Sequence, residues 1–307
     1  MTGTQFLPLP ERVLPQADGA GGYQLQRAGE RGYVVISGFV QATFVVTDEG
    51  VILVDAPPAL DGKIQQAIAE VTSLPVTHFV YTHAHLDHVG AVTSFPGARK
   101  IAHEEAARMI ANHRDPKRPA PDQVVDGEKT VLVIGGEEVH LIYPGPNHEV
   151  GNILVHFPAQ KLSVMTDVVM PGWVPYRGWG NADYPPGMLA AHEAILATDF
   201  DTYVGGHVYR TGTRADVEQS RDFLLDTIST TQKAMGSIPF PDAAAEGIEP
   251  ANAWAIQTVW FQRVADAVTG ELSARWGTRL GGVDTFTHAT VEALIVSLST
   301  DAPVSFP

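Results

Sequence analysis

The segment Tyr81-Thr82-His83-Ala84-His85-Leu86-Asp87-His88-Val89-Gly90 constrains this chain more than any other. Three histidines and an aspartate fall within six positions, at the end of a strand-like run from Val76 to Thr82. In extended chain, residues two apart point the same way, so His83 and His85 can reach one ion. A turn after Leu86 sends Asp87 and His88 toward a neighbouring site. Four ionisable groups packed together are costly unless something binds them, and a cation is the natural partner.

Composition decides what kind of cation site this can be. The 307 residues include twelve histidines and no cysteine, so disulfides, thiolate-held clusters, zinc fingers and a cysteine nucleophile are excluded. Any transition metal must be held by nitrogen and oxygen. The balance of 20 Lys+Arg against 35 Asp+Glu, a formal −15, speaks against nucleic acid as a partner. No Gly-x-Ser-x-Gly elbow, phosphate-binding loop or dinucleotide fingerprint is present. Pro8, Pro10 and Pro15 interrupt the apolar start, which leaves no signal-like core, and no apolar run is long enough for a membrane span. The expectation is a cytoplasmic protein with no membrane partner, although a mature exported chain would read alike.

Hydrophobic residues at 44% supply an ample core. Short β-branched and aromatic runs at 33–36, 43–46 and 51–54 read as strands, as do 130–134, 138–143, 153–157 and 162–165. Helical periodicity covers 59–72, 104–113, 215–235, 251–268 and 291–298, and a short helix is expected within 89–95. Residues 114–121 read as a surface loop and 238–250 as a linker. Helices inserted between hairpins indicate two sheets covered by helices. The expected organisation is a catalytic domain over 1–245, its first 22 or so residues an irregular arm, and a helical extension over 246–307. Trp254 and Trp260 are expected to pack inside that extension, which covers the main domain or joins a second subunit in a homodimer.

The His83-x-His85-x-Asp87-His88 motif resembles that of the metallo-β-lactamase superfamily. The similarity spans roughly residues 32 to 232. His148, in Asn147-His148-Glu149, resembles the family's third histidine; Asp167, after Val164-Met165-Thr166, resembles the carboxylate between two metals; His207, after Gly205-Gly206, resembles the last ligand. Asp55 matches a position that supports the metal loop from behind. The resemblance implies an α/β fold, an αββα sandwich of two mixed sheets flanked by helices, followed here by a C-terminal helical extension. It implies two Zn2+ per chain, with iron or manganese also suited to such ligands. His83, His85 and His148 would hold one metal, Asp87, His88 and His207 the other, with Asp167 between them. A metal-bridging hydroxide would then cleave a small-molecule amide or ester ring of the β-lactam or lactone type, with Asp87 as the catalytic carboxylate.

Departures from the family's patterns narrow the field. The lack of cysteine excludes thiolate-using β-lactamases, and His85 stands where the diiron flavoprotein branch has Glu. After residue 250 the tail offers only Arg263, Arg275 and Arg279, which weakens a thioesterase of the glyoxalase II kind. A mononuclear iron persulfide dioxygenase and a non-catalytic binding protein on the same scaffold are the further alternatives. Beyond Asp167, the aromatic, Gly- and Pro-rich stretch from Met170 to Pro186 is expected to overhang the metals. Trp173, Tyr176, Trp179 and Tyr184 would supply apolar surface to a substrate, Arg177 would pair with a carboxylate, and Tyr209 would contact substrate or an oxyanion.

Overall fold

The structure is a computed structural model that describes residues 6–15 and 18–300. Within the expected N-terminal arm it includes one 3-10 turn, Glu11–Val13, which buries Val13. Strands Gln24–Ala28 (β1), Gly32–Ser37 (β2), Val40–Val46 (β3) and Val51–Val54 (β4) form an antiparallel meander. Helix Lys63–Val71 (α1) returns the chain to Val76–Val80 (β5), which pairs parallel with β4. The short helix Leu86–Val89 (α2), strand Arg99–His103 (β6), helix Glu104–His113 (α3) and strand Gln123–Val125 (β7) complete a seven-stranded mixed sheet in the order β1 to β7.

The second sheet has five strands: Lys129–Ile134 (β8), Glu137–Ile142 (β9), Leu154–Phe157 (β10), Leu162–Val164 (β11) and Thr202–Val204 (β12). Its order is β12-β11-β10-β9-β8, antiparallel except for the β11–β12 pair. Between β11 and β12 lie the short turn Arg177–Asn181 (α4) and helix Gly187–Leu196 (α5). Helices Arg214–Ser237 (α6), Ala253–Trp276 (α7) and Val283–Thr300 (α8) follow.

Strand alternation builds the layers. In β4, Ile52 and Val54 join a core that includes Val155, Phe157 and Leu162 of the other sheet, whereas Val51 and Leu53 pack with Ile64 and Ala67 of α1. Both faces are covered, so β4 is apolar throughout. The outer face of the second sheet, through Leu154 and Tyr203, packs with Met188 and Ile195 of α5 and with Leu224 and Leu294 of α6 and α8. The result is the αββα sandwich of two mixed sheets, with helices beyond it at the C-terminal end. Among the described residues, no helix is long and apolar enough to cross a membrane.

The last helices are integrated with the sandwich. A buried stripe on α7, at Trp260, Val264, Val268, Leu272 and Trp276, packs with Phe223 of α6, Val291 and Ile295 of α8, and Val174. The Trp260 indole N–H donates to the Ile238 carbonyl at 2.8 Å. Trp254, expected to pack as well, is 78% exposed, because the stripe begins only at Trp260, well inside α7. Helix α7 runs on to Trp276, past the expected end at 268. Strands β1, β6 and β7 and helix α5 are additions to the sequence-based expectation.

Candidate metal centre

The chain leaves β5 extended and turns sharply. His85 is itself extended, at φ −67° and ψ 135°, and caps α2, whose first turn carries Asp87 and His88. This divides the motif in two. His83 and His85 group with His148 and Asp167, while Asp87 and His88 group with His207; within each group the nearest ligating atoms all lie within 4.8 Å of one another. The other members arrive on loops that leave strands: His148 between β9 and β10, Asp167 after β11 and His207 after β12.

Asp167 is the hinge between the groups. Its Oδ2 lies 3.1 Å from His148 Nε2, 3.2 Å from His88 Nε2 and 3.6 Å from His83 Nε2, and its Oδ1 lies 3.2 Å from His207 Nε2. Its backbone is left-handed, φ 67°, a conformation unusual outside glycine. The Tyr203 hydroxyl braces this turn from behind, donating to the Met165 carbonyl at 2.6 Å and accepting the Val169 N–H at 3.2 Å.

Hydrogen bonds on the far ring nitrogens settle which atoms face inward. The Thr82 hydroxyl donates to Asp55 Oδ2 at 2.6 Å, so at 2.9 Å it accepts from His83 Nδ1–H. That leaves His83 Nε2 as a lone pair. It is buried and has no hydrogen-bond partner. His207 Nδ1 donates to the Phe39 carbonyl at 3.0 Å, which likewise turns Nε2 inward. Within each group, ring nitrogens face one another: His85 Nδ1 and His148 Nε2 at 2.9 Å, His88 Nε2 and His207 Nε2 at 3.0 Å. A tetrahedral ion with metal–nitrogen bonds of about 2.0–2.1 Å needs ligand edges of about 3.3 Å. The separations observed are close to that value. These nitrogen and oxygen donors, most of them buried and His83 Nε2 without any partner, fit a divalent metal.

Charge in the cluster is arranged to the same end. Burial alone would raise Asp167, but the imidazoles of His88 and His148 hold its carboxyl well below the usual range. Burial likewise opposes a charged His88, yet Asp167, Asp87 and Asp55 raise it to about 9. Burial, with the neighbouring His88 and His148, keeps His83 neutral. Glu149 is pushed up to about 7, chiefly by burial; its Oε2 accepts the Ala84 N–H at 2.9 Å, and its Oε1 lies 3.9 Å from His85 Nε2.

Above the cluster lies a cavity of about 540 Å³, within the range of small-molecule sites. Two of the residues expected to contact substrate, Trp173 and Tyr176, line it. Four others do not. Trp179 is fully buried, with its indole N–H donating to the Thr290 carbonyl at 3.2 Å. A left-handed run at Gly178, Trp179 and Gly180 turns that ring away from the cavity and into the helices. Arg177 and Tyr184 lie at the surface outside the cavity lining, and the Tyr209 ring packs edge-on against Phe39 at 5.5 Å. The lining instead includes Phe39, from the β2–β3 turn, and Phe286, from α8. Phe39 had a sequence signal, an aromatic residue beside a hairpin glycine; Phe286 had none.

A two-sheet sandwich that gathers five imidazoles and two carboxylates on the loops at one end of its strands defines a metal-binding protein with nitrogen and oxygen ligands. The sequence profile of the metallo-beta-lactamase superfamily matches residues 36–231, and the chain belongs to that superfamily. Among relatives, it is 32% identical over 204 residues to the alpha subunit of 2,4-dinitroanisole O-demethylase from Nocardioides sp., covering 64% of this chain and 60% of that one. It is 30% identical over 122 residues to a type 2 metallo-beta-lactamase from Bacillus sp., covering 38% of this chain and 45% of that one. The chain thus spans less than two thirds of the length of these relatives. In fold it resembles the metallo-beta-lactamase from Pontibacter korlensis, with a TM-score of 0.57 at 20% identity over 66% of this chain and 98% of that one.

Proposed function

We propose that the protein is a metal-dependent hydrolase of small molecules that binds two zinc ions and cleaves an ester or amide ring of the lactone or β-lactam type. The observation that carries this reading is the convergence of two ligand groups on the carboxylate of Asp167. His83, His85 and His148 would hold one ion and Asp87, His88 and His207 the other, with Asp167 shared. When bound, the metal pair supplies Lewis-acid polarisation of a carbonyl and water activated near neutral pH.

The chain's own residues supply the rest. Asp87 is the most exposed carboxylate of the cluster, with Oδ2 3.4 Å from His88 Nε2 and 3.7 Å from His207 Nε2. In this reading, its carboxylate takes the proton released by the attacking water and returns it to the leaving nitrogen or oxygen. Trp173 and Tyr176 exclude water above the reacting bond. Asp55, through Thr82, fixes the His83 tautomer.

A second reading, cleavage of an aryl methyl ether, is favoured by the identity to the O-demethylase alpha subunit. Thioester hydrolysis is disfavoured, since neither Lys nor Arg lines the cavity to meet the carboxylates of a glutathione ester. A homodimer through the C-terminal helices is a further part of this proposal and rests on Trp254, exposed on α7; the relatives named as alpha and beta subunits of one enzyme point instead to association of unlike subunits. Sedimentation of the wild type and of Trp254→Ala checks it.

The deciding experiment combines metal analysis with a panel of a β-lactam, a lactone, an aryl ester, a thioester and 2,4-dinitroanisole. About two zinc ions per chain, and turnover lost to a chelator and restored by zinc, are expected. A fully active metal-free preparation would overturn the proposal. Oxygen consumption with a persulfide would move it to the dioxygenase class.

A further inference from the structure

The cavity over the ligand cluster has sharply divided chemistry. Its charge-bearing groups all belong to the floor, where the imidazoles and the carboxylates of Asp87 and Asp167 lie. The walls are mainly Phe39, Met170, Trp173, Val174, Tyr176 and Phe286, drawn from three separate parts of the chain, with Gly180 and the uncharged amide of Asn181 completing the lining. Neither Lys nor Arg is among the lining residues, and Arg177, the one basic residue of the 170–186 loop, is exposed outside them. A ring entering this space exchanges water for aromatic faces and edges. A carboxylate carried far from the reacting bond would lose its water there and meet no cation.

Phe286 lies outside the residues matched to the superfamily, on α8. Its position is built in. The Gly281 N–H donates to the Gly172 carbonyl at 2.9 Å, and the Val174 N–H donates to the Gly281 carbonyl at 3.1 Å, so the turn before α8 is stitched to the loop that carries Trp173. A Cβ at Gly281 would stand 2.9 Å from the Trp173 ring, so only glycine permits this approach. The Phe286 and Tyr176 rings then meet with centroids 5.2 Å apart, closing one wall.

We infer that the substrate of this site carries an uncharged, flat aromatic group remote from the bond that is cleaved, and that Phe286 is a specificity-determining residue that selects it. The inference rests on the hydrolase reading for the nature of that bond; the selectivity of the wall is a binding property and is tested as one.

The test is calorimetric titration of the full chain, with and without zinc, using two ketones that cannot be hydrolysed: benzylacetone and its para-carboxylate. Benzylacetone should bind at least about tenfold more tightly, equivalent to about 1.4 kcal/mol. Phe286→Ala should raise its Kd by roughly fivefold to tenfold, in line with the loss of an aromatic contact. Phe286→Leu, which preserves apolar volume and the fold, should raise it by a smaller factor. Phe240→Ala, at an exposed ring stacked on Trp260 away from the cavity, should leave it unchanged. Equal or tighter binding of the para-carboxylate, or an unchanged Kd in both Phe286 variants, would overturn the inference. If the selectivity holds while no ester, lactone or ether is turned over, the hydrolase reading fails and the assignment of the wall stands.

Discussion

Asp55 grips Thr82 twice: Oδ1 accepts the backbone N–H at 3.0 Å and Oδ2 accepts the hydroxyl at 2.6 Å. Oδ2 also accepts the Thr166 hydroxyl at 3.1 Å, one residue before Asp167. One buried carboxylate thus braces both the histidine loop and the loop of the shared ligand. Asp55→Asn tolerates the same left-handed backbone but removes an acceptor. It is expected to lower metal affinity by about 10–100-fold, measured by competition with a chromogenic chelator. An unaltered affinity would mean that His83 keeps its orientation without the Thr82–Asp55 chain.

The Tyr203 hydroxyl spans the turn on which Asp167 sits, joining Met165 to Val169. Tyr203→Phe leaves a buried carbonyl and a buried N–H without their partner, a cost of about 1–3 kcal/mol. Thermal unfolding of the metal-free protein should show that loss. Because the effect passes through Asp167, metal affinity should fall as well, which a purely packing role would not produce.

Gly180 has φ +76°, and a Cβ there would lie 3.2 Å from the Asp167 carbonyl oxygen and 3.7 Å from His148 Nδ1. Gly180→Ala is therefore expected to destabilise by about 1–2 kcal/mol through left-handed strain. It should also weaken metal binding, whereas Gly97→Ala, with open space around it and no positive φ, should do neither. Denaturant titration and the chelator competition separate the two effects.

His192 supplies a pH dependence away from the metal centre. Burial lowers it to about 4, and the Met188 carbonyl accepts from Nδ1 at 2.7 Å, while Ser220 Oγ lies 3.0 Å from Nε2. The unfolded chain, with histidine near its ordinary value of about 6.5, takes up this proton first as pH falls. Its contribution is complete above about pH 6.5 and is lost as pH falls toward 4, by up to about 3 kcal/mol. Urea midpoints at several pH values should show a shallower decline in His192→Gln. Equal slopes in both proteins would show that burial does not lower His192 in the folded state.

How much of this was legible in the sequence depended on how local each signal was. His83, His85, Asp87 and His88 lie within one turn of chain, so their spacing carried the geometry of their division into two groups. The apolar run of β4 was equally plain, since a strand covered on both faces has no polar residues to hide it. Strand β1, with the sequence Gln-Leu-Gln-Arg-Ala, is an edge strand without a β-branched residue and gave no such sign. Helix α5 starts after Pro185-Pro186 and lacks a polar face regular enough to mark its period. The cavity wall was hardest to read. Backbone handedness at 178–180 decided which tryptophan lines the cavity, and Phe286 reaches it only because α8 folds back across more than a hundred residues of chain.

The bond from the Trp179 indole to the Thr290 carbonyl limits how this protein can admit a ligand to the cavity. To swing the 170–181 segment outward, the protein would have to draw a fully buried tryptophan out of the helices and give up that bond. Traffic is therefore expected to pass by rotation of the rings of Phe39 and Tyr176, each 43% exposed, and not by movement of the backbone. Such rotations at exposed positions take picoseconds to nanoseconds, whereas loop opening takes microseconds to milliseconds. Ring rotation at this mouth would then be too fast to hold up the passage of a ligand.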